Sequence, residues 1–148
     1  MTELYRGPFP PTAELVPHAG PMVLVERLTA WGDGYAEGEV VVRDGARFVT
    51  DGAAPAVASM EYMAQVVAAC LGYEAYRGGA GVRVGMIIAV RTMDLLVERF
   101  AVGDTLHITV QRQRGSESLS HFDCRTERDG ELLATANMTL YHAERPPT

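Results

Sequence analysis

Apolar residues recur along this chain with two different periods, and the switches between them divide it. From position 22 the run Met22-Val23-Leu24-Val25-Glu26-Arg27-Leu28 leads through Trp31 to Gly32-Asp33-Gly34. Beyond that turn, over 35–44, Val40 and Val42 fall on one side and Glu39, Val41 and Arg43 on the other. Period-two alternation on both sides of a Gly/Asp turn predicts a β-hairpin. Residues 44–55 carry two Asp-Gly pairs and Pro55 and read as a loop. Pro55 suits the first turn of a following helix, where its missing N–H costs nothing. From there Met60, Met63, Ala64, Val67, Ala68 and Leu71 recur at helical spacing and predict a buried stripe. The helix should stop near Arg77, because Gly78-Gly79-Ala80-Gly81 offers a left-handed cap. The period then returns to two. Strands are expected over 82–93, 105–114, 119–126 and 132–141, the first apolar on both faces near its middle, with turns at Gly115-Ser116-Glu117 and Asp129-Gly130.

One helix placed early, followed by strands with no helix between them, predicts an α+β fold rather than a parallel α/β sheet. A curved antiparallel sheet wrapped around the single apolar helix buries the stripe. Residues 1–148 form one domain at this length. Its proline-rich stretch 1–16 is an extended, turn-rich lead-in with one helical turn over 12–15, and 143–148 is a frayed tail.

Composition narrows the chemistry. All 13 basic residues are arginine and none is lysine, against 19 acidic residues, for a formal charge of −6. A Schiff-base lysine and a Walker-type phosphate loop are therefore excluded, and with no basic run nucleic-acid binding is not expected. Two cysteines, Cys70 and Cys124, are too few for a disulfide framework, and a reduced cytoplasmic setting is expected. Cys70 reads as a buried inert thiol. The start has no signal-peptide pattern. The longest apolar stretch, 57–71, is interrupted by Glu61 and Gln65 and falls short of the roughly 20 residues of a bilayer span. Four histidines, at 18, 107, 121 and 142, are the groups that titrate near neutrality without help. They form no zinc-ligand spacing, and 79–85 fails the dinucleotide-binding pattern, so neither metal nor cofactor is expected.

Two segments resemble a known family. Leu15-Val16-Pro17-His18-Ala19-Gly20-Pro21-Met22-Val23-Leu24-Val25-Glu26-Arg27 is similar to the opening of the FabZ-type 3-hydroxyacyl-acyl-carrier-protein dehydratases, and Pro55 with Glu61-Tyr62-Met63-Ala64-Gln65 resembles their helix. Phe100-Ala101-Val102-Gly103-Asp104-Thr105-Leu106 is a third, weaker likeness. The match runs in order over 15–142, nearest to the divergent dehydratase-like proteins of aryl-polyene-type clusters, which share His-x-Gly-Pro-Met and Glu-Tyr-Met-Ala-Gln. The resemblance implies a hotdog fold, a dimer with active sites at its interface, and a role in fatty-acid or polyene biosynthesis.

Dehydration of a 3-hydroxyacyl thioester needs a base at C2 and an acid for the departing hydroxyl. By the resemblance Glu61 holds the acid position, on an otherwise apolar helix expected to desolvate it. The alternative reading is a first-turn acid favoured by the helix dipole. Gln65, one turn on, holds Glu61 or the substrate, or is a plain interface polar residue. The family's catalytic histidine, fourteen residues before the acid, corresponds to Arg47, which stays protonated and cannot act as a base. Phe48 follows it as in the family and is expected at the substrate. Ala56 replaces the family glycine, and its N–H is expected to polarise the thioester carbonyl. Three sources for the base stay open: His18, Asp51, or a histidine from a different hotdog subunit that completes a composite site. Asp51 also reads as plain turn chemistry in Asp51-Gly52.

The expected substrate is an acyl chain on a phosphopantetheine arm, carried by an acyl carrier protein or by CoA, and the chain is expected as a homodimer or as a heterodimer with another hotdog subunit. Arg77, Arg83 and Arg99 are candidate contacts for an acidic carrier. Two other readings remain: a hotdog thioesterase using a carboxylate without histidine, and a non-catalytic acyl-binding partner.

Overall fold

In the computed structural model, which describes residues 3–79, 84–115 and 119–143, the expected hairpin is made by β1 (Arg27–Gly32) and β2 (Tyr35–Val41). It closes through Asp33-Gly34, with Gly34 at a φ of +69°. The stretch before it departs from expectation. Gly20–Met22 is a 3-10 turn, and the strand begins only at Arg27, because the backbone at Met22 and Leu24 is taken by a helix side chain described below.

The central helix α1 spans Ser59–Arg77, preceded by a 3-10 turn over Ala56–Ala58. It is capped at Gly78, and Gly79 takes the left-handed φ of +79°. The expected stripe understates its burial. Tyr62, Val66, Ala69, Cys70 and Tyr73 are buried alongside Met63, Val67 and Leu71, whereas Met60 is exposed and Ala68 half-buried. A helix enclosed by a sheet on one side and by chain on the other needs apolar residues nearly all round.

The sheet has six antiparallel strands in the order β1-β2-β6-β7-β8-β4, where β4 is Val84–Leu95, β6 Thr105–Gly115, β7 Leu119–Arg128 and β8 Glu131–Ala143. All four expected late strands are present, with β7 and β8 joined at Asp129-Gly130. Val40, Ile108, Val110, Phe122 and Met138 point inward at the helix. Gly38 brings β2 close to it, since a Cβ there would lie 3.1 Å from Val66 Cγ2. A second sheet, absent from the periodicity, pairs β3 (Ala53–Pro55) with β5 (Arg99–Ala101). The 144–148 part of the expected frayed tail lies outside the described residues.

The lead-in is tied down along α1. Its helical turn covers Thr12–Glu14. Leu15 then crosses the helix so closely that a Cβ at Gly72 would lie 1.8 Å from its carbonyl oxygen. That crossing fixes where His18 falls, three residues later. Tyr5 bridges to Trp31 through two backbone hydrogen bonds. Tyr5 and Phe9 join Trp31, Tyr73 and Tyr76 in an aromatic cluster over the C-terminal end of the helix.

Candidate active site

Glu61 is the third residue of α1, in its first turn. The macrodipole reading and the acid reading therefore fall on the same position. Its side chain is 28% exposed, and polar groups rather than an apolar wall meet its Oε1. Gln65, one turn further, donates from Nε2 to Glu61 Oε1 at 3.0 Å. The same amide nitrogen donates to the Met22 carbonyl at 2.7 Å, while Gln65 Oε1 accepts from the Leu24 N–H at 2.8 Å. Both N–H protons and the carbonyl are thus engaged in a side chain with no exposed surface. Gln65 holds Glu61 and latches the chain at 22–24 to the helix, and it lies wholly buried.

His18 arrives from the anchored lead-in, with Nε2 at 3.3 Å from Glu61 Oε1 and its side chain 26% exposed. Its Nδ1 is buried and meets no hydrogen-bonding group among the described residues. The sequence separates His18, Glu61 and Gln65 by 43 and 4 positions, and the structure brings the three together.

The loop before the helix is placed differently. Arg47 is exposed, lies against the Met22 sulfur, and stands 5.2 Å above the centre of the Phe48 ring. Phe48 itself is exposed and held at a φ of +72°, a conformation that costs a side-chain-bearing residue about 1–2 kcal/mol. Its ring lines an open cavity of about 610 Å³ with Thr50, Ala53, Ala54, Pro55, Glu98 and Arg99. Asp51, at a φ of +52°, is exposed in a tight turn with Gly52, closed by reciprocal bonds between Thr50 and Ala53. The turn reading accounts for it, and none of its contacts joins it to Glu61.

Ala56 departs from its expected role. Its N–H donates to the Glu98 carbonyl at 2.9 Å, extending the β3–β5 ladder, so it is not free to polarise a thioester. Pattern reading missed that ladder because three-residue strands carry no periodicity. Of the three candidate carrier contacts, the two among the described residues lie on different elements. Arg77 stands 5.0 Å above the Trp31 ring at the far end of the helix, about 24 Å from Glu61 at 1.5 Å per residue. Arg99 pairs with Pro55 beside the cavity, and Arg83 lies outside the described residues.

The other chemistry-bearing groups are elsewhere. His107 Nε2 lies 2.7 Å from Glu37 Oε1 and His121 Nδ1 2.8 Å from Thr139 Oγ1, both on the sheet; the His142 side chain lies outside the described residues. Cys70 and Cys124 are free, and burial pushes both thiols up to about 12. Among the described residues no group of three or more His, Cys, Asp or Glu is arranged to hold a metal, and no helix is long and apolar enough to cross a membrane.

Comparison with known proteins bears on this arrangement. A chain of the dehydratase heterocomplex ApeI:P from Xenorhabdus doucetiae superposes with a TM-score of 0.87 at 26% identity, over 92% of this chain and 93% of that one. A hypothetical thioesterase crystallised with coenzyme A, from Streptococcus pneumoniae, gives 0.60 at 13% identity over 83% and 87%. A sigma28-regulated virulence protein from Campylobacter jejuni gives 0.67 at 12% over 90% and 88%. The last two share the fold alone, and the fold is the hotdog: an antiparallel sheet of six strands with one long helix packed against it. Comparison with curated protein sequences returned no match. The family model described as ApeP-like, ApeP dehydratase, matches residues 10–147, and the chain belongs to that family.

Proposed function

We propose that this chain is the carboxyl-bearing subunit of a heteromeric dehydratase acting on 3-hydroxyacyl thioesters, with Glu61 as the acid. The observation that carries the reading is the pairing of a held carboxyl at the start of the central helix with an arginine at the position of the family's base. Glu61 Oε1 is gripped by Gln65, whereas Arg47 carries no lone pair to take a proton. Site composition therefore calls for a base from outside this chain. The likeness to a member of a dehydratase heterocomplex supports a second, histidine-bearing hotdog subunit as its source. Phe48, Val57 and Met60 leave apolar surface exposed around the start of the helix, which such a subunit would cover.

In the reaction the partner's neutral imidazole takes the C2 proton of the substrate and Glu61 gives its proton to the C3 hydroxyl. The C2–H electron pair becomes the second bond between C2 and C3, the C3–O bond breaks with its pair on oxygen, and water leaves. The imidazole then loses its proton to solvent and Glu61 regains one, which balances the cycle. Acyl carrier protein or CoA presents the thioester, with the Phe48 cavity as the approach and Arg99 at its rim.

The test is turnover of 3-hydroxyoctanoyl-CoA by the purified chain, by a hotdog subunit that carries the histidine this chain lacks, and by the two together. Enoyl product from the mixture and from neither subunit alone is expected. Full activity of the partner alone, or of this chain alone, sinks the composite site. Release of free CoA thiol in place of enoyl product points to a thioesterase instead.

A further inference from the structure

His18 invites assignment as the missing base, and the geometry argues otherwise. A base needs a nitrogen lone pair that reaches the C2 proton. Nε2 of His18 faces Glu61 Oε1 at 3.3 Å, and Nδ1 is buried. The nitrogen that is not enclosed therefore has the acid oxygen beside it.

We propose that His18 is a positioning residue, a neutral imidazole with its proton on Nε2 that joins the Gln65 amide on Glu61 Oε1, so that the acid proton is carried on Oε2 and delivered from there. The inference rests on the reading of Glu61 as the acid. Its first support is the crowding of one oxygen: Gln65 Nε2 at 3.0 Å and His18 Nε2 at 3.3 Å both address Oε1. An oxygen that already accepts one N–H and has a ring nitrogen beside it is the poorer seat for a covalent proton, which leaves Oε2 to hold it. The second support is the buried Nδ1, which finds no partner among the described residues. A proton there would be a buried donor without an acceptor, and it would turn the Nε2 lone pair toward the carboxylate oxygen. The tautomer with Nε2–H avoids both.

The third support is how firmly His18 is placed. Leu15, three residues earlier, lies in the crossing that only a glycine at 72 permits. Met22 and Leu24, on the other side, are latched by Gln65. A residue braced at both flanks suits orientation of a neighbour, which requires no motion of its own. The pairing of His18 and Gln65 divides the carboxyl into a held oxygen and a working oxygen. It also ties the geometry of the acid to the seating of the whole lead-in.

Two experiments test this. The first is nitrogen NMR of the wild-type chain labelled in histidine, with His18 assigned through its loss in His18→Gln. At neutral pH the expected signature is a bare Nδ1 and a protonated Nε2; an Nδ1–H tautomer or an imidazolium overturns the proposal, whatever the variants do. The second compares His18→Gln, which keeps an N–H donor, with His18→Leu, which does not, in the two-subunit enzyme on 3-hydroxyoctanoyl-CoA. His18→Leu is expected to lower kcat about 10- to 100-fold with KM unchanged, while His18→Gln stays within about 5-fold of wild type. Equal loss in both variants makes the imidazole itself the reacting group, and equal retention makes it dispensable; either overturns the proposal. Wild-type activity in Glu61→Gln is a separate result that removes the reading of the acid instead.

Discussion

The described residues include two histidine–glutamate pairs, and only one of them is built like a site. On the face of the sheet turned away from the helix, Glu37 has both oxygens occupied: the Tyr35 hydroxyl donates to Oε2 at 2.7 Å and His107 Nε2 meets Oε1 at 2.7 Å. Burial pushes its pKa up, but the hydrogen bonds from Tyr35 and His107 outweigh that and hold it below the ordinary carboxylate range. At the start of the helix, the contacts Glu61 makes among the described residues fall on Oε1, from His18 and Gln65. Closeness of an imidazole to a carboxylate thus does not distinguish chemistry from structure. What differs is the second oxygen of Glu61, which no contact among the described residues takes up, on a side chain that is part exposed.

The comparison breaks most sharply on the carboxyls themselves. Glu61→Gln, assayed in the two-subunit enzyme by enoyl formation, is expected to lose about 10²–10⁴-fold in kcat, the usual contribution of a general acid. Glu37→Gln should stay within about twofold, because its carboxyl has no role beyond its own strand pair. A large loss in the second variant would erase the distinction.

The supports differ next. Gln65→Leu strands the Leu24 N–H and the Met22 carbonyl inside the fold, and about 2–3 kcal/mol of stability should go with them, read as a fall in the denaturation midpoint. Tyr35→Phe removes one hydrogen bond at a half-exposed position and should cost about 1 kcal/mol. Equal effects would mean that the buried latch is no tighter than the surface pair.

That asymmetry also marks what pattern reading reaches. The hairpin, the helix and its glycine stop, and four strands follow from periodicity and turn residues, since each of these is a local property of the chain. The acid position came from a family motif, Glu-Tyr-Met-Ala-Gln, and not from periodicity. The β3–β5 ladder that occupies the Ala56 N–H was invisible, being three residues long and stabilised by contacts between distant segments. The commitment of Gln65 was invisible for the same reason: its partners lie 41 and 43 residues away in the chain. Met60 went wrong because helical spacing locates a stripe but not the partner that covers it, and here the chain leaves that residue open.

The smallest expected effect concerns pH and separates the pairs once more. Glu37 has its folded pKa below the ordinary value of 4.5, so the unfolded chain takes up its proton first as pH falls. The stability it contributes is complete above about 4.5 and is lost as pH drops through the folded value. The Tyr35 hydroxyl, pushed up to about 12 by burial and then by its bond to Glu37, stays a neutral donor throughout, so on this side of the pair only the carboxyl changes state in that window. The midpoint difference between wild type and Glu37→Gln should therefore be largest near about pH 7 and shrink toward about pH 3. His107→Gln removes one of the two bonds that depress Glu37 and should shrink the wild-type excess in part. A difference that stays constant across the range would show that the sheet pair does not hold its charge in solution. Glu37 would then be as lightly held as any surface acid, and the contrast with Glu61 would rest on position alone.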